Sequence, residues 1–214
     1  MDSSETVLQN LDWGDVVYAY GHLFAPEVKL LGVEAPMHDG KLNRDQLAQM
    51  MLVADFVGLE RAGALGLSLS TSKVLFIGTE SVRVTKVKDV QAGPLSRAIL
   101  GQLTGDRNKD GAKNVVYRLL RKDSVDPYGV VVNWSQESLF QNGYYHEEER
   151  GRIAQMVAGS RKVPDRERLA TLEPAARMIQ SALREEELKQ PAIYKRLKQD
   201  VLDALRSRVE QDSG

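Results

Sequence analysis

The sequence predicts a mainly α, α+β fold: one compact multi-helix domain with a small β-sheet or hairpin. Three observations lead there. Apolar residues recur at helical spacing in several separate stretches. Residues 65–87 switch instead to short alternating or β-branched runs. Helix-start signals stand at Asn43, Pro94 and Asp126-Pro127. Six or so helices around one small sheet satisfy all three.

Element by element, residues 1–10 are polar and read as a tail. The aromatic, β-branched run LDWGDVVYAYGHLF at 11–24 is interrupted by Gly14 and Gly21 and stays open. Residues 1–24 are accordingly set apart as an N-terminal extension, 25–190 as the domain, and 191–214 as a C-terminal helix and tail. EVKLLGV at 27–33 is a short apolar element, and the Pro-, Asp- and Gly-rich EAPMHDGK is a turn. Asn43 caps a helix over 45–61, whose Leu47, Met50, Met51, Ala54 and Val57 share one face, and Ala62-Gly63 ends it.

LGLSLS (65–70), KVLFIG (73–78) and SVRVTKV (81–87) are separated by small polar pairs and form a hairpin or a three-stranded meander. Pro94 opens a helix carrying Leu95, Ile99 and Leu103. GDRNKDG is a loop, Val115, Val116, Leu119 and Leu120 mark a short helix, and Asp126-Pro127 opens a longer one to about Gln141. Two further stripes follow, Leu172, Ala175, Met178, Ile179, Ala182, Leu183 and then Tyr194, Leu197, Val201, Leu205, Val209.

Composition narrows the function. The chain has 214 residues, 42% of them hydrophobic and 28% charged, with a net charge of −1, so polyanion binding requires a local patch. Cysteine is absent, which removes disulfides, thiolate metal sites and a cysteine nucleophile. The N-terminus does not read as a secretory signal, and no run approaches the roughly 20 apolar residues that span a bilayer.

Catalytic and metal motifs fail one by one. Asp106, Asn108, Asp110 and Gly111 open like a calcium loop, but Tyr117 stands where its bidentate glutamate belongs. His22, His38 and His146 lack partners at ligand spacing, and Glu147, Glu148 and Glu149 read as a solvated acidic turn. No nucleophile elbow and no phosphate-binding glycine loop is present. The expectation is a non-enzymatic chain with no cofactor.

The most informative stretch is 139–168, LFQNGYYHEEERGRIAQMVAGSRKVPDRER. A short apolar patch of Ile153, Met156 and Val157 lies among six cations, Arg150, Arg152, Arg161, Lys162, Arg166 and Arg168, against the acids Asp165 and Glu167. That pattern suits an anionic membrane interface, where each cation contributes about 1 kcal/mol. The same three apolar residues, spaced i, i+3, i+4, equally fit one turn of a core helix.

Several segments, read in order, resemble the Golgi phosphoprotein 3 family. They are EVKLLGV with Gly40 after it, the helix 45–61 running through Gly63 into Leu65-Gly66-Leu67, PLSRAIL at 94–100, LFQNGYYHEEERGR at 139–152, and Pro164 with the Arg-containing helix at 174–184. The resemblance covers roughly 25–190. It implies a mostly helical, non-enzymatic domain on the cytosolic face of membranes that binds phosphoinositide headgroups and cytosolic tails of membrane proteins. An apolar hairpin, here about 146–163, would hold the bilayer or another copy of the chain. Where the family's lipid pocket has a Trp and arginines, this chain has Asn43, Arg44 and Gln49 near the first long helix. On the central helix it has Val130, Val131, Val132, Asn133 and Trp134. Headgroup specificity is therefore not carried over.

The leading expectation is a cytoplasmic, peripheral membrane adaptor. Arg150, Arg152, Arg161, Lys162, Arg166 and Arg168 would contact phosphates, and Ile153, Met156 and Val157 would insert. One alternative is a helical protein–protein adaptor that buries its two C-terminal stripes against a partner. Another is a winged-helix regulator using Lys113, Arg118, Arg121 and Lys122, which the slightly acidic net charge disfavours.

Overall fold

A computed structural model describes residues 10–74, 77–90, 92–106, 108–120, 126–148 and 161–212, with side chains except at 72–74, 77–79, 161 and 208–212. The described residues form helices packed around one core, with three two-stranded antiparallel sheets at its margins. The mainly α, α+β expectation holds.

The described residues before 25 contribute to the core. Helix α1 (Trp13–Ala19) buries Val16, Val17 and Ala19 completely and packs on the helices α2 (Arg44–Arg61) and α5 (Pro127–Gln141). Asp15 reaches back to the Asp12 N–H at 2.9 Å, one half of a capping box. The Asp12 carboxylate is spent elsewhere. It accepts the N–H groups of Leu95 (2.7 Å) and Ser96 (3.2 Å), capping α3 (Pro94–Gly101). The residues set apart as an extension therefore organise the core.

Helix α2 begins where expected, with Asn43 Oδ1 accepting the Gln46 N–H at 3.0 Å. Its buried surface is wider than one stripe. Leu47, Met51, Leu52, Val53, Ala54, Phe56 and Val57 are all sequestered, because α1, α3, α5 and the C-terminal helices surround it. Burying Phe56 alone contributes about 2–3 kcal/mol.

The β-like region resolves into a hairpin. Strand β3 (Leu65–Val74) runs antiparallel to β4 (Ile77–Lys86), in register from Leu65↔Lys86 to Val74↔Ile77. Thr71-Ser72, a break on sequence grounds, lies inside β3. Leu65, Leu67, Val82 and Val84 face the core. Helix α8 (Pro191–Asp212) closes over β4. Its buried Asp200 accepts the Val82 N–H at 2.7 Å and meets Arg196 at 2.6 Å.

Most residues of the C-terminal stripes are core, while Met178 is exposed and the Val209 side chain lies outside those described. Leu172, Ala175, Ile179, Ala182 and Leu183, mostly on α7 (Glu173–Lys189), are buried within the domain, as are Tyr194, Leu197, Val201 and Leu205 on α8. The stripe-docking form of the protein-adaptor reading is thereby corrected. Helix α8 packs on α2, α4 (Ala112–Leu119) and β4.

Candidate functional site

Two surface features stand out. The first is a hairpin rooted at the end of α5. Strand β5 (Tyr145–Glu148) pairs with β6 (Arg161–Pro164), placing Glu147 opposite Lys162 and Glu148 opposite Arg161. Its root is held by Tyr145, which is buried and hydrogen-bonds the Tyr18 side chain, and burial pushes its phenol up. Glu147 and Glu148 are thus strand residues with exposed side chains, not a turn. Arg150, Arg152, Ile153, Met156 and Val157 lie outside the described residues, as does Glu149.

The described cations of this stretch are largely engaged. Lys162 pairs with Glu137, whose carboxyl it holds below the usual range, and lies 4.3 Å from the centre of the Phe140 ring. This clamps β6 onto α5. Arg166, at the start of α6 (Arg166–Ala170), meets Asp39 at 2.5 Å. Arg168 lies 5.1 Å from the Tyr144 ring centre and makes no ion pair among the described residues. Arg161 is placed by its backbone alone. Of the cations whose side chains are described, Lys162 and Arg166 are thus neutralised, by carboxylates of α5 and of the loop before residue 40.

The second feature is a bend that sequence reasoning took for an ordinary apolar element. Strand β1 (Val33–Glu34) pairs with β2 (Lys41–Leu42), and Glu27 bridges to Leu42. The Val28 N–H donates to Lys41 O at 2.8 Å, and Asn43 N–H to Pro26 O at 2.9 Å. Gly32 presses so close to β2 that a Cβ would lie 2.6 Å from Leu42 O. Residues 29–31 are thus pinched out between two stapled positions. Leu30 is 80% exposed and Leu31 98%.

A groove of about 440 Å³ lies between Leu30, Leu31 and Gly32 on one side and Lys41, Asn43, Arg44 and Asp45 on the other. Lys29 and Lys41 make no ion pair among the described residues. Arg44 is bound to Asp126 at 2.7 Å and approaches Asp45 at 3.5 Å. Glu34 stands opposite Lys41 in the strand register. The surroundings therefore mix both signs. The Arg166–Asp39 pair ties the foot of the hairpin to the loop joining β1 and β2. The available signal for the bend was a negative one: two consecutive leucines belonging to no helical or alternating stripe.

Elsewhere, His22 and His38 stack at 5.2 Å, and His38 Nε2 lies 2.9 Å from Glu27 Oε1. Burial and then His38 lower the His22 pKa. No group of three metal-ligating side chains occurs among the described residues. Arg118, a candidate phosphate contact in the DNA-binding reading, is committed inward. It donates to Lys109 O at 2.9 Å and Gln102 O at 2.7 Å, and pairs with Asp110 at 3.1 Å. Arg121 and Lys122 lie outside the described residues. No helix among those described is long and apolar enough to cross a membrane. Compared with known proteins, the chain matches no family model, no curated protein and no solved structure.

Proposed function

We propose that this chain is a non-enzymatic peripheral membrane adaptor of the Golgi phosphoprotein 3 type. It works on the cytosolic face of anionic phospholipid membranes and recognises cytosolic tails of membrane proteins. The observation that carries the reading is the Leu30–Leu31 pair, held in water on a stapled bend. Each exposed leucine forgoes about 2 kcal/mol of burial, which becomes available when an apolar layer covers it. Lys29 and Lys41 border the pair, and the β5–β6 hairpin leads to the segment bearing Arg150, Arg152, Ile153, Met156 and Val157. An exposed leucine pair suits interfacial insertion, and nearby cations add a salt-sensitive share.

The test is co-sedimentation with neutral and anionic vesicles, phosphoinositide-containing ones included, at low and high salt. Binding to anionic vesicles that weakens with salt, and falls in both a Leu30→Asp/Leu31→Asp variant and an Arg161→Glu/Lys162→Glu variant, supports the reading. Absence of binding to every vesicle at every salt ends it. The protein-adaptor reading then takes its place. It is favoured by the carboxylate pairing of Lys162 and Arg166, and the groove beside Leu30 and Leu31 is then its docking surface.

A further inference from the structure

Strand β4 carries an arginine, Arg83, that makes no ion pair among the described residues. It stands opposite Ser68 in the β3–β4 register, on the side of the ribbon away from the buried Leu67, Val82 and Val84. Its Nη2 donates to Ser70 Oγ at 2.8 Å. Its Nε is buried and donates to nothing. Arg61, Arg118 and Arg196, which are also partly withdrawn from solvent, each meet an acid. Arg83 is half-buried, and a partly desolvated guanidinium without a counter-charge favours an anion that supplies one.

A cavity of about 420 Å³ opens at this arginine, bounded by Ser68, Arg83, Thr85, Leu103, Gly105 and Asp110. Its frame is backbone. The Val84 N–H donates to Asp110 O at 2.8 Å, and Arg83 bridges to Gly111, so the loop before α4 lies along the outer edge of β4. Asp110 does not supply the missing charge. Its carboxylate accepts the Thr104 and Gly105 N–H groups and the Thr104 hydroxyl, and Arg118 pairs with it at 3.1 Å. Burial would raise its pKa, but these donors outweigh that and hold it below the usual range. Lys86 at the rim is held by Asp89 at 2.7 Å in an exposed pair that salt weakens. The Ser68 and Thr85 side chains are exposed and make no hydrogen bond to another described residue.

We infer that this cavity binds a phosphate monoester. The Arg83 fork takes two oxygens, the Ser68 and Thr85 hydroxyls serve the others, and Leu103 borders the organic part. A planar guanidinium fork matches phosphate geometry, and the volume falls in the range of small-ligand sites, about 300–1,000 Å³. A carboxylate, with two oxygens, would leave part of the donor set unused. The phosphate belongs either to a small soluble ester or to a lipid headgroup. The site lies on β3 and β4 and does not depend on the membrane reading of the Leu30–Leu31 bend.

The test is an NMR titration of the full, ¹⁵N-labelled chain with glycerol 1-phosphate, against sodium acetate and sodium chloride at matched ionic strength. Saturable amide shifts at 68, 83–85 and 103–105 are expected with the phosphate ester alone. The affinity should fall about tenfold or more in Arg83→Gln, with the rest of the spectrum unchanged. A Ser68→Ala/Thr85→Val variant, which removes no charge, carries the test if Arg83→Gln does not fold. Vesicles bearing phosphatidic acid, a monoester, are compared with vesicles of phosphatidylglycerol, a diester. Monoester-dependent sedimentation lost in Arg83→Gln assigns the lipid source, and glycerol phosphate binding without it assigns the soluble one. No saturable response to either monoester, an equal response to acetate, or unchanged affinity in both variants overturns the site.

Discussion

The backbone N–H of Gly14 donates to Asp55 Oδ1 at 2.7 Å, fastening α1 to α2 through a carboxyl group that has no ion-pair partner among the described residues. Asp55 is 1% exposed, and its second oxygen has no hydrogen-bond partner. Two more buried acids stand close by. Burial, then the neighbouring Asp12, raises Asp55 well above the carboxylate range. The same two causes push Asp15 up to about 7, although Ser138 Oγ donates to it at 2.6 Å. Asp12 is raised by burial against the donors of α3.

This junction sets a pH dependence. A carboxyl whose pKa is raised in the folded state binds its proton more tightly there than in the unfolded chain. Its stabilisation is therefore complete below the unfolded value of 3.8 and is lost as pH rises toward about 7. Asp110 and Glu137 have lowered values and act oppositely, losing stabilisation as pH falls below the ordinary carboxylate range. The melting temperature is expected to peak in mildly acidic solution and to fall between about pH 5 and about pH 8. Asp55→Asn should raise it at the alkaline end and flatten the slope. Thermal unfolding followed by circular dichroism checks both. A wild-type melting temperature level across that window contradicts the assignment.

Gly58 stands in the last turn of α2, where the Trp13 ring occupies the place of a side chain. A Cβ there would lie 2.9 Å from Trp13 Cδ2. Gly58→Val is expected to displace the indole and to cost about 1–3 kcal/mol. Tryptophan emission and urea unfolding, measured in a Trp134→Phe background so that Trp13 reports alone, read the two effects. Unchanged emission with unchanged stability would show that the helices separate without strain.

The Asp110–Arg118 pair holds the loop from Thr104 to Gly111 against β4. Arg118→Leu leaves a nearly buried carboxylate without its cation and is expected to cost about 2 kcal/mol. Asp110→Asn, which keeps an acceptor, should cost less. Denaturant midpoints at fixed slope rank the two, and the reverse order would place the effect in the arginine's packing, not its charge.

Leu31→Asp should leave stability within about 0.5 kcal/mol of the parent, since the side chain touches little. Phe56→Ala, at a fully buried position, should lose about 3–5 kcal/mol. A large loss from Leu31→Asp in urea unfolding would mean that the leucine is covered in solution, by a second copy of the chain or by a rearranged bend.

Much of the helical frame was legible because its signals are local. Asn43 and Asp126 cap through their own side chains, accepting Gln46 N–H at 3.0 Å and Gly129 N–H at 3.1 Å, and Pro94 and Pro127 fix first turns. Helix α1 was not legible, because Gly14 and Gly21 read as interruptions. In the fold they are close-approach points. A Cβ on Gly14 would lie 2.7 Å from Asp55 Oδ2, and one on Gly21 would lie 2.5 Å from Leu42 Cδ1. The hairpin near 146–163 was expected through a resemblance, and its paired arms fall at 145–148 and 161–164. The commitment of Lys162 to Glu137 and of Arg166 to Asp39 was invisible, since those partners lie 25 and 127 residues away.

The sequence by itself determined most of the helices, their starts and most of the apolar stripes that make the core, because periodicity and capping act within a few residues. Only the tertiary structure decided which charges remain free and which apolar residues stay wet. Leu30 and Leu31 are exposed because contacts at 26, 28 and 32 staple the chain to β2. Arg83 makes no ion pair among the described residues, and Asp110, which lines its cavity, is bound to Arg118. Burial and charge compensation are sums over neighbours brought together by the fold, and no local pattern encodes them.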